Sequence, residues 1–253
     1  MIPTVDVTRY VTPLREGGSL PGLVEAADLG IYVCKFRGAG QGERVLVAEV
    51  IVAALAQRLG LRSPRLVGLA LDPEIARYEA DEEVQDLLTA SAGLNLGVDF
   101  LPGAFGYDAA AATRDALAPR VLWLDAFVAN VDRSWRNPNL LVWHQELWLI
   151  DHGASLYFHH SWDAGIGDPE RFARQPWDPA GHVFATYLPG LSGADEELRQ
   201  QLDAAALHEA VAQVPDDWLR GAPGDEPARV RAAYVDHLSA RLASRAWLPE
   251  VTR

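Results

Sequence analysis

Apolar and polar positions alternate along this chain in patterns that change character near residue 102. Residues 3–15 mix β-branched residues with prolines and predict an extended strand. Leu29 to Phe36 is a second β-rich run. Val45 to Leu59 is densely apolar and stops at Gly60, which predicts a helix closed by a glycine at its C-terminal end. A short strand is expected over Arg65 to Leu71, after Ser63-Pro64. Pro73 to Thr89 is acidic and amphipathic and predicts one surface helix opened by Asp72-Pro73. Leu94 to Leu101 alternates as a half-buried strand does. Pro102-Gly103-Ala104-Phe105-Gly106 then breaks the chain.

Beyond that break the periodicity turns helical. Asp108 to Leu117 predicts a short Ala-rich helix, and Pro119 to Asn130 a strongly apolar one. A polar loop carrying Asn137 and Asn139 follows, then two short apolar runs that end on Ile150-Asp151-His152-Gly153. Ser161 to Pro179 is rich in Trp, Asp, Pro and Gly and reads as an ordered loop. Ala194 to Ala246 is helical, interrupted at Pro215 and over Gly221 to Pro227. These elements predict an α+β chain in two lobes, a small β-rich N-lobe over 1–102 and a mainly helical C-lobe over 103–253.

A chain of 253 residues can bury a large core, and 49% hydrophobic with 23% charged residues is ordinary for a globular protein. The net charge of −13 argues against general nucleic-acid binding, since no broad basic surface is available for phosphates. It still allows a local nucleotide pocket built from a few cations and backbone N–H groups. One cysteine, Cys34, excludes an internal disulfide and a cysteine-based zinc site, and its apolar surroundings suggest a buried small side chain. No apolar run approaches 18 residues and the N-terminus carries no basic-then-apolar signal, so a cytoplasmic protein without membrane contact is expected.

The chemistry-bearing residues stand in a telling order. Gly17, Gly18 and Ser19 lie in a turn that could aim N–H groups at an anion, although taken alone an ordinary hairpin turn is the better reading, since short glycine clusters are common. Lys35 is the only lysine in the chain and sits in a β-rich run, where a compact ammonium suits a phosphate clamp. Glu49 interrupts an apolar helix and needs either exposure or a partner, for which Lys35 is the candidate. Asp132 and Asn137 have the D-x-x-x-x-N spacing of a kinase catalytic loop, and Asp151-His152-Gly153 stands where such enzymes carry Asp-Phe-Gly. Asp132 would then take a hydroxyl proton, while Asn137 and Asp151 offer hard oxygen ligands to Mg²⁺. Asn139 could replace Asn137.

Each part has a plainer explanation. Asp132 could be a helix-end residue paired with Arg133, and Asp151 a turn former before Gly153. The ordered succession is what favours chemistry. His144, His152, His159 and His160 raise a zinc or di-metal hydrolase, but their spacings fit no helical metal-binding pair, and neighbours such as His159 and His160 would diverge on any strand. The G-x-S-x-G elbow of a serine hydrolase is missing.

The run from Asn130-Val131-Asp132-Arg133 through Asn137-Pro138-Asn139-Leu140, with Leu147 to Gly153, resembles the HipA-like kinases, most of all their compact single-domain branch. Phosphoinositide 3/4-kinases are more distantly similar. Arg15 to Pro21, Tyr32 to Phe36, Glu49 with Leu59-Gly60-Leu61, and Asp99 to Gly103 fit the same branch, so the resemblance spans roughly residues 10–160. It implies a protein-kinase-like two-lobed fold that uses ATP and Mg²⁺. It places the adenine at the linker, Phe100, Leu101 and Gly103 included. The catalytic Asp falls on Asp132, the metal ligands on Asn137 and Asp151, and the phosphate lysine on Lys35. The acceptor would be a hydroxyl on a protein or small molecule. A nucleotide-binding interaction module without catalysis is the alternative, and the acidic charge disfavours a lipid kinase. Toxin members of the family pair with a DNA-binding antitoxin, but this chain gives no indication of such a partner.

Overall fold

A computed structural model describes residues 1–14, 20–40, 42–108, 116–219 and 226–249. Its N-terminal part is a closed five-stranded barrel in the order β1-β2-β3-β5-β4. The strands are β1 (Thr4–Pro13), β2 (Gly22–Ala26), β3 (Ile31–Lys35), β4 (Leu66–Leu71) and β5 (Gly93–Asp99). Every pairing is antiparallel except the seam, where Thr4, Val5 and Asp6 of β1 run parallel to Gly68, Leu69 and Ala70 of β4. Alternation decides which side chains fill the barrel: Val24, Tyr32, Cys34, Val67 and Leu69 are fully buried inside it. Cys34 is indeed packed as a small hydrophobe, and burial pushes its thiol well above the ordinary range.

The helix α1 (Glu43–Arg58) connects β3 to β4 and is buried from Leu46 through Ala56. A helix apolar all round must be covered all round. Its core partners include Leu96 of the barrel and, on the other side, helices of the C-terminal part. Gly60, at φ +72°, supplies the left-handed residue just past its end. The single helix expected over Pro73 to Thr89 is two: a 3-10 helix over Pro73–Tyr78, then α2 (Glu82–Ala90). Glu79 is extended between them, and Asp81 starts the second helix by accepting from the N–H groups of Glu83 and Val84. Val84 and Leu88 of α2 join the barrel core.

The chain leaves the barrel after Asp99 and enters a small sheet, β6 (Phe105–Gly106), β7 (Leu140–Trp143) and β8 (Glu146–Leu149). His144 and Gln145, both at positive φ, make the two-residue turn between β7 and β8. The Ala-rich helix expected over Asp108 to Leu117 falls largely outside the described residues. The apolar one is α3 (Ala118–Val128), which ends at Ala129 in the left-handed conformation. The stretch expected as loop over Ser161 to Pro179 contains helix: a 3-10 helix over Tyr157–Ala164 and α4 (Pro169–Arg174). Phe158, Trp162 and Phe172 hold these short pieces against Tyr234 and His237. His159 and His160 therefore do not diverge as on a strand; their rings meet edge to face 4.4 Å apart. The C-terminal helices are α5 (Leu191–Leu198), α6 (Ala204–Ala212) and α7 (Pro227–Ala243). No helix of the described residues is long and apolar enough to cross a membrane.

Candidate active site

Lys35 is the last residue of β3, and Glu49 faces it from α1. The Lys35 ammonium bonds Glu49 Oε1 and also reaches Asp151 Oδ1 at 2.8 Å. Glu49 Oε1 accepts a second donor, the backbone N–H of Gly153, at 2.8 Å. Glu49 thus ties the strand lysine and the Asp-His-Gly segment to one helix. Burial disfavours charge here. It lifts Glu49 above the ordinary glutamate range against the pull of Lys35. For Lys35 burial is outweighed by Glu49 and Asp151, which hold its ammonium above the ordinary lysine range. Asp151 is half exposed; burial opposes its charge, but Lys35 prevails and brings it down to about 2.

Close approach explains the glycine. A Cβ on Gly153 would collide with Val45 Cγ1 and crowd Glu49 Oε1 at 3.2 Å. Asp151 takes φ +54°, so the segment enters this approach through a left-handed turn.

The second cluster surrounds Asp132. Asn137 Nδ2 and Asn139 Nδ2 both donate to Asp132 Oδ2, at 2.9 and 3.0 Å. Asn137 is exposed, whereas Asn139 is buried with φ +49°. The Asp132 N–H is held by Asn130 Oδ1 at 3.0 Å. Among the described residues no hydrogen bond reaches Asp132 Oδ1.

Arg133 does not pair with Asp132. It is buried, and its guanidinium turns inward, bonding Asn139 O and Ile150 O and approaching His152 Nδ1 at 3.1 Å. The backbone repeats this link: Ile150 N–H donates to Asn139 O at 3.1 Å and Val131 N–H to Ala154 O at 3.2 Å. The Asp132 loop and the Asp151 segment are therefore fastened side by side. Burial, with Arg133 beside it, pushes His152 down to about 3, so the imidazole is neutral.

The linker residues are partly engaged. The Phe100 N–H donates to Ile31 O, Leu101 O accepts from Ala104, and Pro102 O accepts from Trp143 Nε1 at 2.9 Å. The Phe100 ring is partly exposed, Leu101 is buried, and Gly103 takes φ +76°. Gly17, Gly18 and Ser19 lie outside the described residues. The structure thus brings together Lys35, Glu49 and Asp151 in one cluster and Asp132, Asn137 and Asn139 in a second fastened beside it. The packing role of Arg133 and the glycine requirement at 153 were not read from the sequence. The glycine two residues after Asp151 could have hinted at the second; nothing local signals the first.

A family model described as HipA-like kinase matches residues 7–247. The structure is similar to that of a Helicobacter pylori proinflammatory kinase, CtkA, with TM-score 0.53 and 12% identity, covering 96% of this chain and 95% of that one. A Golgi casein kinase structure with Mn/ADP bound matches at TM-score 0.44 and 14% identity, over 95% of this chain and 73% of that one. No curated protein matches the chain in sequence. The protein-kinase-like fold expected from the motifs is thus present, with a small β-rich N-terminal part and a helical C-terminal part. The distant likeness to phosphoinositide kinases is not shown.

Proposed function

Because this chain belongs to the HipA-like kinase family, we propose that it transfers the γ-phosphoryl group of ATP to a hydroxyl on a protein or small molecule. The observation that carries this reading is the pairing of the two clusters. Asp132, steadied through one carboxylate oxygen by Asn137 and Asn139, lies in a loop fastened to the segment whose Asp151 meets Lys35.

In this reading Asp132 Oδ1 receives the acceptor hydroxyl and takes its proton as the hydroxyl oxygen bonds the γ-phosphorus. The bond from that phosphorus to the β–γ bridging oxygen breaks, and ADP leaves. Lys35 clamps the phosphates, and Glu49 keeps the lysine in place. Mg²⁺, when bound, would neutralise phosphate charge. Asn137 and Asp151 are the residues to hold it: a carboxamide and a half-exposed carboxylate are the hard oxygen donors this ion takes. Asn137 already spends its nitrogen on Asp132, which leaves its oxygen for the metal.

The adenine would lie against the linker, Phe100, Leu101 and Gly103, and Gly17, Gly18 and Ser19 would cover the phosphates. We place the lobe boundary at residue 102, supported by the end of the last barrel strand at Asp99.

Two measurements test the function. Mg²⁺–ATP should raise the melting temperature of the wild type and not of Asp151→Ala. Phosphate transfer to any acceptor, including the protein itself, should fall by about 10²–10⁴ in Asp132→Asn. A wild type that ATP does not stabilise would end the proposal. Binding without transfer would instead support the interaction-module alternative.

A further inference from the structure

The buried side of the catalytic loop is organised by one carboxylate that the phosphotransfer chemistry does not use. Asp125, on α3, has no solvent exposure. Its Oδ1 accepts from Asn130 Nδ2 at 2.9 Å; its Oδ2 accepts from Arg133 Nε at 2.7 Å and from His182 Nε2 at 2.9 Å. His182 Nδ1 accepts the Phe184 N–H at 3.0 Å, so the ring proton sits on Nε2 and is donated to Asp125. Each partner of Asp125 holds something else. Asn130 holds the Asp132 N–H. Arg133 holds Asn139 O, Ile150 O and the His152 ring. The segment carrying His182 runs beside the loop, where Trp177 Nε1 donates to Asn130 O, Trp135 N–H to Gly181 O, and Val183 N–H to Arg133 O.

We propose that Asp125 and His182 are positioning residues for phosphoryl transfer, fixing the Asp132 loop and the Asp151 segment in one register through Asn130 and Arg133. The inference rests on the function proposed above. A buried ion pair is seldom the most stable filling of a core, since desolvation offsets its attraction and apolar side chains often do as well. What it supplies is direction: Asp125 fixes the guanidinium plane, and that plane meets carbonyls from both halves of the site. His182 completes the carboxylate's shell, so that Asp125 cannot turn away from Arg133.

The test compares His182→Phe, which keeps the volume and removes the donor, with His182→Gln, which can still donate. In His182→Phe we expect kcat to fall about 10–100-fold with KM for ATP within about twofold, the signature of lost alignment without lost binding. His182→Gln should recover kcat to within about threefold of wild type. Hydrogen exchange gives a readout that does not depend on turnover. In His182→Phe, amides of 132–139 and 150–154 should exchange about tenfold faster together, with α7 and the barrel strands unchanged. Wild-type kcat in His182→Phe, failure of Gln to rescue, or loosening spread over the whole fold would each overturn the proposal. If the wild type transfers no phosphate, the proposed function fails, and the exchange pattern alone decides the positioning role.

Discussion

Glu49 accepts the backbone N–H of Gly153 on the same oxygen that binds Lys35. A single carboxylate oxygen thus sets the distance between the strand lysine and the segment carrying Asp151. Any residue with a Cβ at 153 would strike Val45 Cγ1 and crowd Glu49 Oε1, so that one side of this contact must shift. For Gly153→Ala we expect phosphate transfer to fall about 100-fold, as for a small misplacement of reacting groups. Steady-state kinetics of the purified variant checks it, and wild-type turnover would contradict the role given to this contact.

Asn137 and Asn139 make the same hydrogen bond to Asp132 from different environments. Exposed Asn137 can turn its oxygen to a metal; buried Asn139 sits at positive φ, where asparagine is tolerated and alanine is strained. Asn137→Ala should raise the Mg²⁺ concentration for half-maximal transfer about tenfold with little change in stability. Asn139→Ala should lose about 1–2 kcal/mol of stability. Magnesium titrations and denaturant melts separate the two, and the opposite pattern would reassign the metal to Asn139.

Burial, with Arg133 beside it, holds the folded His152 down at about 3, well below the ordinary 6.5 of an unfolded histidine. As pH falls below about 6.5 the unfolded chain takes up a proton that the folded chain refuses, so stability declines through this window. Below about pH 4 Asp125 adds to the loss. Burial opposes its charge, but Arg133 and His182 bring it down to about 2, so its contribution of about 2–3 kcal/mol is present above pH 4 and fades towards pH 2. His152→Asn keeps an acceptor for Arg133 and removes the titrating ring. Melting temperatures from pH 7 to 4 should therefore fall less steeply in this variant than in wild type. An unchanged slope would place the acid sensitivity elsewhere, with buried His159 the next candidate, since burial lowers it in the same direction.

Arg241 of α7 is fully buried and donates to Ala126 O and Phe127 O, carbonyls of the last turn of α3, and to Phe172 O and Gln175 O. It caps the helix from which the Asp132 loop departs. Burial brings its pKa down to about 9. Arg241→Met removes all four bonds and takes from Phe127 O and Gln175 O the donor they have, while Ala126 O and Phe172 O keep the N–H groups of Ala129 and Gln175, and we expect a loss of about 3–5 kcal/mol. Urea unfolding measures it, and a loss under about 1 kcal/mol would show that water replaces the guanidinium without cost.

Much of the site was legible because its signals are local and rare. The only lysine stands on a strand, an acid breaks an apolar helix, and Asp132, Asn137 and Asp151 keep a recognisable spacing. The supporting shell was not legible. Arg133 follows Asp132 directly, and sequence offers that neighbour as its partner; the fold turns it instead to Asp125, an acid inside the strongly apolar α3 whose partner the sequence does not indicate. His182 lies 57 residues from Asp125 and carries no periodic signal. The helices within 157–174 were hidden for a different reason. They are eight and six residues long, too short for propensity to decide, and aromatic packing against α7 holds them. The break between the 3-10 helix and α2 was readable in Asp81-Glu82-Glu83, an N-terminal signature set inside a longer acidic run.

The parallel seam of the barrel has a consequence for how the chain matures. Thr4 to Asp6 find their parallel partners only once Gly68 to Ala70 exist, and the Ile2 N–H bonds Gln213 O at 2.9 Å. On a ribosome, the first strand must therefore wait for about 65 further residues before the ring can close, and the segment before it waits for the carbonyl of Gln213. Until the ring closes, β4 keeps an open edge able to pair with another chain. Closure of the barrel and the bond from Ile2 to Gln213 thus join the β-rich part to the helical part through residues far apart in sequence.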